Sequence, residues 1–327
     1  MGLKAGVRNL ITDVPGLTVG QAEDPGLKSG VSVVVGDAPM VAGVHVMGGA
    51  PGTRETDLLR PDTLVERVDA LTLSGGSAFG LSAGQGVALA LVEDGRGYET
   101  HGGPVPIVPG AILFDLANGG EKDLSDDPYC ELGRRAYAKR SMDVQLGSHG
   151  AGTGALVAGL KGGVGSASLM LPSGATVGAL IAVNAVGQVT VGDGPQFWAA
   201  PWEVDGEFGG LGVSDVPAPE PRLKKYGDFN TVIGIVATDV GLTQAQSTRL
   251  AKVSHDGIAR AIVPSHLPTD GDLLFACSTG DKELPMEEFM LLGHWAATCV
   301  SRAIARAVYE AHAEDGDTFP TWREQFG

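Results

Sequence analysis

Cysteine is scarce in this chain of 327 residues: Cys130, Cys277 and Cys299 are an odd, widely spaced set without a C-x-x-C. They suggest neither a disulfide framework nor a cysteine-rich zinc site, and they fit a reducing cytoplasm. Basic residues are also in short supply, with Lys and Arg at 23 against 39 Asp and Glu, for a net charge of −16. Such a surface repels phosphate backbones and anionic membranes and has no basic stripe, which sets nucleic acid aside as a partner. No run of about 18 apolar residues marks a membrane span. The opening MGLKAGVRNLITDVPGLTVG has neither the apolar core of a secretory signal nor a myristoylation signal. Aromatic residues make up only 6% of the chain.

What is present is small and apolar. Hydrophobic residues reach 43%, enough for a large core, and fifty glycines signal tight turns and close backbone contacts without a collagen-like period. Residues 30–36 (GVSVVVG), 44–48 (VHVMG) and 69–74 (DALTLS) read as short strands, and 76–93 has the spacing of a buried helix. Residues 98–140 read as a strand, a loop and a helix. The alternating, Gly-punctuated runs over 153–192 predict antiparallel hairpins. Residues 198–229 carry Pro, Gly and charge with little periodicity, as a loop or a processed linker does. A strand over 231–238 follows, then a helix opened by a Thr243/Gln246 capping box and running to about Ile262. A strand over 270–279 and a final helix over roughly 286–312 complete the pattern. There is no regular βαβ alternation and no repeat of fixed period.

The glycine clusters LSGGSAFG, GSHGAGTGA and GGVGSAS match neither a phosphate loop nor a dinucleotide fingerprint. Ser77 sits at a strand-to-helix junction, but G-G-S-A-F lacks the second glycine of a nucleophile elbow, so a helix N-cap is expected there. The seven histidines form no H-E-x-x-H and no tight pair; His45, His149 and His266 read as loop or core residues.

The stretch YGDFNTVIGIVATDV (226–240) places Thr231 between a turn and an apolar strand. A β-branched residue opens a strand for ordinary reasons. A cut between Asn230 and Thr231 would instead leave Thr231 at an N-terminus, where its hydroxyl is a nucleophile and its own α-amine, with a reference pKa near ~8, is the base. Lys161, Asn184 and the pair Asp270 and Asp272 are candidates to orient the amine and stabilise the oxyanion. Each has an ordinary alternative as a turn residue.

In chain order, ITDVPGLTVGQAED, LSGGSAFGLSAGQGV, GAGTGA followed by Lys161, VNAVG, NTVIGIVATDV and DGDLLFACSTGD resemble the self-processing L-aminopeptidase/D-esterase and β-aminopeptidase family, which includes the nylon-oligomer (aminohexanoate-oligomer) hydrolases. The resemblance spans nearly the whole chain. It implies an α/β fold, a four-layer α/β/β/α sandwich like that of N-terminal-nucleophile hydrolases but with different connectivity. It also implies autocleavage between Asn230 and Thr231, leaving fragments 1–230 and 231–327 of one 1–327 domain. Thr231 is the implied nucleophile, and Lys161, Asn184, Asp270 and Asp272 match the family's catalytic Lys, Asn and paired Asp. The roles expected are an oxyanion donor for the Asn184 amide, worth about 2.7–4 kcal/mol, and like-charge depression of the α-amine pKa by Lys161. Asp270 and Asp272 are expected to hold Lys161 and the amine, or alternatively to serve autocleavage. Phe79 stands where the family often has Tyr, so it lines the pocket without supplying a phenolic donor.

The expected activity is amide hydrolysis without metal or organic cofactor, on small amide or peptide substrates. Linear aminohexanoate oligomers come first, with amino-terminal cleavage of short or β-amino peptides as the alternative. An ornithine-acetyltransferase-type acyl transfer is a further alternative. Family analogy adds a homotetramer.

Overall fold

The computed structural model describes residues 4–216, 219–224 and 230–327. Its strands, in chain order, are β1 (Leu17–Asp24), β2 (Ser29–Val46), β3 (Thr53–Arg54), β4 (Arg67–Ser74), β5 (Tyr98–Thr100), β6 (Gly103–Val105), β7 (Gly110–Ile112), β8 (Leu156–Val157), β9 (Leu160–Lys161), β10 (Gly163–Met170), β11 (Thr176–Asn184), β12 (Thr231–Val240) and β13 (Leu273–Lys282). The helices are α1 (Ala83–Glu93), α2 (Pro128–Ala138), α3 (Gln244–Ala261), α4 (Met286–Tyr309) and α5 (Trp322–Phe326). No helix among the described residues is long and apolar enough to cross a membrane.

Nine strands join in the order β10-β11-β12-β13-β2-β4-β7-β3, with β1 added along β2. β2 is the hinge of this arrangement. Its first half pairs with β1 and β4, a register shift follows between Val35 and Met40, and its second half pairs with β13. A bulge bends a strand, so the continuous sheet folds over into two layers.

Alternation along the strands shows what fills each space. Ile233, Ile235, Leu273 and Phe275 pack with Leu71, Leu73 and Val34 between the layers. Their neighbours Val232, Val236, Leu274 and Ala276 face α3 and α4 on one outside. Val31, Val33 and Ala70 face α1 and α2 on the other. The period of two along a strand therefore produces the four layers, helix, sheet, sheet and helix.

The capping box forms at the head of α3, where Thr243 Oγ accepts Gln246 N–H at 3.2 Å and the Gln246 side chain accepts Thr243 N–H at 2.8 Å. β10 and β11 form the expected antiparallel hairpin. Three local expectations are corrected. The separate strands at 30–36 and 44–48 are one strand of 18 residues. The helix expected from residue 76 starts as a 3-10 turn, Ser77–Ser82, and becomes α-helical only at Ala83. Ser77 makes no capping bond: it has φ +52°, and its N–H bonds Leu113 O. The Gly-Asp-Phe portion of the turn expected before Thr231 lies outside the described residues.

Candidate active site

Thr231 is the first residue of β12 and stands directly opposite Asn184, the last residue of β11. Partners across an antiparallel pair share a face. For Thr231 that face is the inter-sheet side, because Ile233 and Ile235, two and four residues on, lie there. On its other edge β12 runs parallel to β13 in constant register, from Asn230 opposite Asp270 through Ile233 opposite Leu273 to Thr238 opposite Ser278. Gly271 therefore falls beside Thr231, and Asp272 beside Val232.

This register grips both sides of the Asn230–Thr231 bond. Gly271 N–H donates to Asn230 O at 2.8 Å, and the Thr231 hydroxyl lies 2.5 Å from the same oxygen. On the far side, Asp272 Oδ1 accepts Val232 N–H at 2.8 Å. The junction is shut off from solvent, with Asn230 and Thr231 1% and 4% exposed. Segment 47–50 lies flat against it: Met47 and Gly48 donate to Asp272 O at 2.9 and 3.0 Å, and Ala50 donates to Asp270 O at 2.8 Å. Glycine is required at 48, since a Cβ there would sit 2.3 Å from Asp270 O.

The two carboxyls differ. Asp270 Oδ2 accepts Leu267 N–H at 2.8 Å, while its Oδ1 has no hydrogen-bond partner among the described residues. Burial, reinforced by the charge of Asp272, pushes Asp270 up to about 7 against the pull of Leu267 N–H. A carboxyl that titrates near neutrality is suited to carry a proton in either direction. Asp272 Oδ2 accepts His266 N–H at 3.1 Å and lies 2.8 Å from His266 Nδ1.

Asn184 is fully buried. Its Oδ1 accepts Leu156 N–H at 3.0 Å and the Lys224 ammonium at 3.1 Å, which fixes the sense of the amide. Its Nδ2 donates to Phe114 O at 2.9 Å. One of its two hydrogens is taken by Phe114 O, and the N–H on the Asn230 oxygen is that of Gly271.

Lys161 is 1% exposed, far from the turn residue its neighbours allow. Its expected partners are corrected as well. The ammonium binds Asp317 Oδ2 at 2.7 Å and Glu314 Oε2 at 3.2 Å, not Asp270 or Asp272. Asp317 also binds Lys28 at 2.8 Å. Burial pushes Asp317 upward, but hydrogen bonds from Lys161 and Lys28 outweigh it and hold its carboxyl below the usual range. Phe79 is 54% exposed on the 3-10 turn. That turn meets the site through residues 113 and 114: Ser77 N–H bonds Leu113 O at 3.0 Å, and Asn184 bonds the next carbonyl.

The structure thus brings Thr231, Asn184, Asp270 and Asp272 together and gives Lys161 a separate ion-pair network. Sequence reasoning missed Gly271, Lys224 and His266. The D-G-D string held the signal for Gly271. Lys224 carried no such signal, and His266 only its place four residues before Asp270.

A model of peptidase family S58 matches residues 9–319. An uncharacterized aminopeptidase of Mycobacterium tuberculosis is 42% identical over 97% of this chain and 98% of its own length. A 6-aminohexanoate-oligomer endohydrolase of an Agromyces species is 26% identical over 93% of this chain and 85% of its own length. The solved structure of the L-aminopeptidase D-Ala-esterase/amidase from Ochrobactrum anthropi, described as a variant of the Ntn hydrolase fold, superposes with a TM-score of 0.72. It is 23% identical and covers 98% of this chain and 91% of that one. The family expected from the motifs is therefore the right one. Peptide or amide substrates suit such an enzyme, and the chain belongs to peptidase family S58, as an amide hydrolase.

Proposed function

We propose that the chain is made as a precursor, cuts itself between Asn230 and Thr231, and then uses the freed Thr231 as its nucleophile. One observation carries this reading: the Thr231 hydroxyl lies against the carbonyl it would attack, and Gly271 N–H already holds that carbonyl's oxygen. In the cut, Thr231 Oγ bonds to the Asn230 carbonyl carbon and its proton passes to a base. Asp270, the strand partner of Asn230, is the group suited to that task. Gly271 N–H stabilises the oxyanion; a donor in such a position is worth about 2.7–4 kcal/mol. The C–N bond then breaks, the proton goes to the departing Thr231 nitrogen, and water hydrolyses the ester to an Asn230 carboxylate.

Thr231 now carries a free amine and a free hydroxyl. The hydroxyl attacks a substrate amide, the amine takes its proton and returns it to the leaving amine, and water releases the acid from the acyl-enzyme. Fragments 1–230 and 231–327 stay together, because β12 and β13 lie between β11 and β2 of the same sheet.

Amino-terminal cleavage of short peptides is the substrate reading with most support, from the mycobacterial relatives at 42% identity. Aminohexanoate oligomers remain the second reading, favoured by relatives at 26%. Intact mass spectra of the wild type beside Thr231→Ala test the first step. Two fragments from the wild type and one full-length chain from the variant are expected; a wild type that stays whole under all conditions overturns the reading. Amine release from alanyl p-nitroanilide and from a linear nylon oligomer, run side by side, decides between the substrates.

A further inference from the structure

His266 contacts Asp272 in two ways at one oxygen. Its backbone N–H donates to Oδ2 at 3.1 Å, and its ring Nδ1 lies 2.8 Å from the same atom. The ring contact is off the N–H axis, so it is a close polar contact more than an aligned hydrogen bond. Bringing both groups of one residue to one oxygen requires an unusual backbone. His266 has φ +59°, a left-handed conformation that a residue with a Cβ adopts at a cost and that gathers at functional sites.

The ring is backed by a second imidazole. His255 meets His266 edge to face at 5.1 Å, and His45 meets His255 at 5.2 Å. His255 Nε2 lies 3.0 Å from His45 O, which only accepts, so that nitrogen carries the hydrogen. Burial, set against that bond to His45 O, pushes His255 down to about 4, so it is a neutral wall behind His266. The three rings do not converge: among the described residues no three His, Cys, Asp or Glu side chains group to hold a metal ion.

Asp272 needs such support. It shares a stretch of three residues with Asp270, whose carboxyl repels it, and its other oxygen holds Val232 N–H, the peptide unit directly after Thr231. The place of this carboxylate therefore bears directly on the peptide unit that follows Thr231.

We propose that His266 is a positioning residue, which fixes the Asp272 carboxylate against Val232 N–H and so sets the orientation of the Thr231 nucleophile. This rests on Thr231 being that nucleophile. His266→Gly and His266→Asn test it in the full chain, because both residues tolerate a left-handed backbone. Glycine removes the ring, whereas asparagine returns an N–H near the position of Nδ1. On alanyl p-nitroanilide, the Gly variant is expected to lose about 10- to 100-fold in kcat with KM within about twofold, as small misplacements of reacting groups do. The Asn variant is expected to recover most of that loss. A Gly variant that stays uncut while the Asn variant cuts is the same loss seen one step earlier, and supports the role. Wild-type kcat in a cut Gly variant, a change in KM alone, or equal failure of both variants overturns it. Intact mass of the same samples keeps the two ideas apart: an uncut wild type refutes the nucleophile reading, and a fully active cut Gly variant refutes His266 alone.

Discussion

Gly271→Ala separates the position of the Thr231 hydroxyl from the donor that faces it. A Cβ built on Gly271 would lie 2.7 Å from Thr231 Oγ, 2.8 Å from Ala50 O and 3.2 Å from Thr231 Cγ2. Ordinary contact begins at 3.4 Å, so the first of these is about 0.7 Å too close. The Ala50 carbonyl is a poor candidate to retreat, because Ala50 N–H is bonded to Asp270 O and its neighbours Met47 and Gly48 are bonded to Asp272 O. The Thr231 side chain can rotate, and rotation carries its hydroxyl away from the Asn230 carbonyl. Gly271 does not have a left-handed φ, so alanine suits its backbone, and the N–H to Asn230 O is kept. The fold is expected to survive with about 1–3 kcal/mol of overpacking strain. Self-cleavage is expected to slow by about 100-fold, the scale on which a misplaced nucleophile costs rate. The assay is a time course of intact mass on freshly purified protein, with thermal unfolding to confirm folding. A folded variant that cuts at the wild-type rate refutes the claim that this hydroxyl position matters.

Two further perturbations test the charges around the site, both in the Thr231→Ala background so that one uncut chain unfolds. Asp270 is raised to about 7 in the fold but releases its proton near ~4 when unfolded, so across that window the folded state binds more protons and stability falls as pH rises. Asp270→Asn is expected to flatten the fall in melting temperature between pH 5 and pH 8; parallel curves for the two proteins would contradict the raised carboxyl. Lys161→Met leaves Glu314 and Asp317 without their shared cation, although Asp317 keeps Lys28. A loss of about 2–3 kcal/mol in urea unfolding is expected, less than for a fully buried pair because both acids keep some contact with water. Partial recovery in the Lys161→Met/Asp317→Asn double variant would mark the coupling, and a loss below about 0.5 kcal/mol would reduce the network to a surface feature.

Elements set by local chemistry were legible in the sequence. The capping box at Thr243, the small-residue spacing of α4 and the hairpin of β10 with β11 each follow from residues within a few positions of one another. β12 was legible as an apolar run, and it extends two residues beyond the expected end. The length of β2 was not, because Gly36, Asp37 and Pro39 read as a break, whereas the structure keeps the strand going through an irregularity and uses it to change layers. The partners of Lys161 were also hidden. Glu314 and Asp317 lie more than 150 positions away, in a segment with no motif of its own. His266 looked like a loop residue because nothing in a sequence announces a left-handed backbone at a histidine.

The D-G-D string was open to two readings, a turn before a strand or a catalytic pair, and the register of β13 on β12 bears on which it is. With Asn230 opposite Asp270, each of the three residues meets a different part of the Asn230–Thr231 junction. Asp270 lies beside the residue that would be released, Gly271 gives its N–H to the carbonyl that would be attacked, and Asp272 holds the peptide that follows. A slip of one residue would exchange these places and turn each side chain to the other face. It would also put a Cβ where Gly271 has none, against the Thr231 hydroxyl. The apolar alternation of Leu273 to Cys277 against Ile233 to Ala237 forbids that slip, because it would move Leu273 and Phe275 out of the layer between the sheets. The packing of the core therefore sets the contacts at its end: hydrophobic residues several positions downstream fix which atom of the D-G-D stretch faces which atom of the junction.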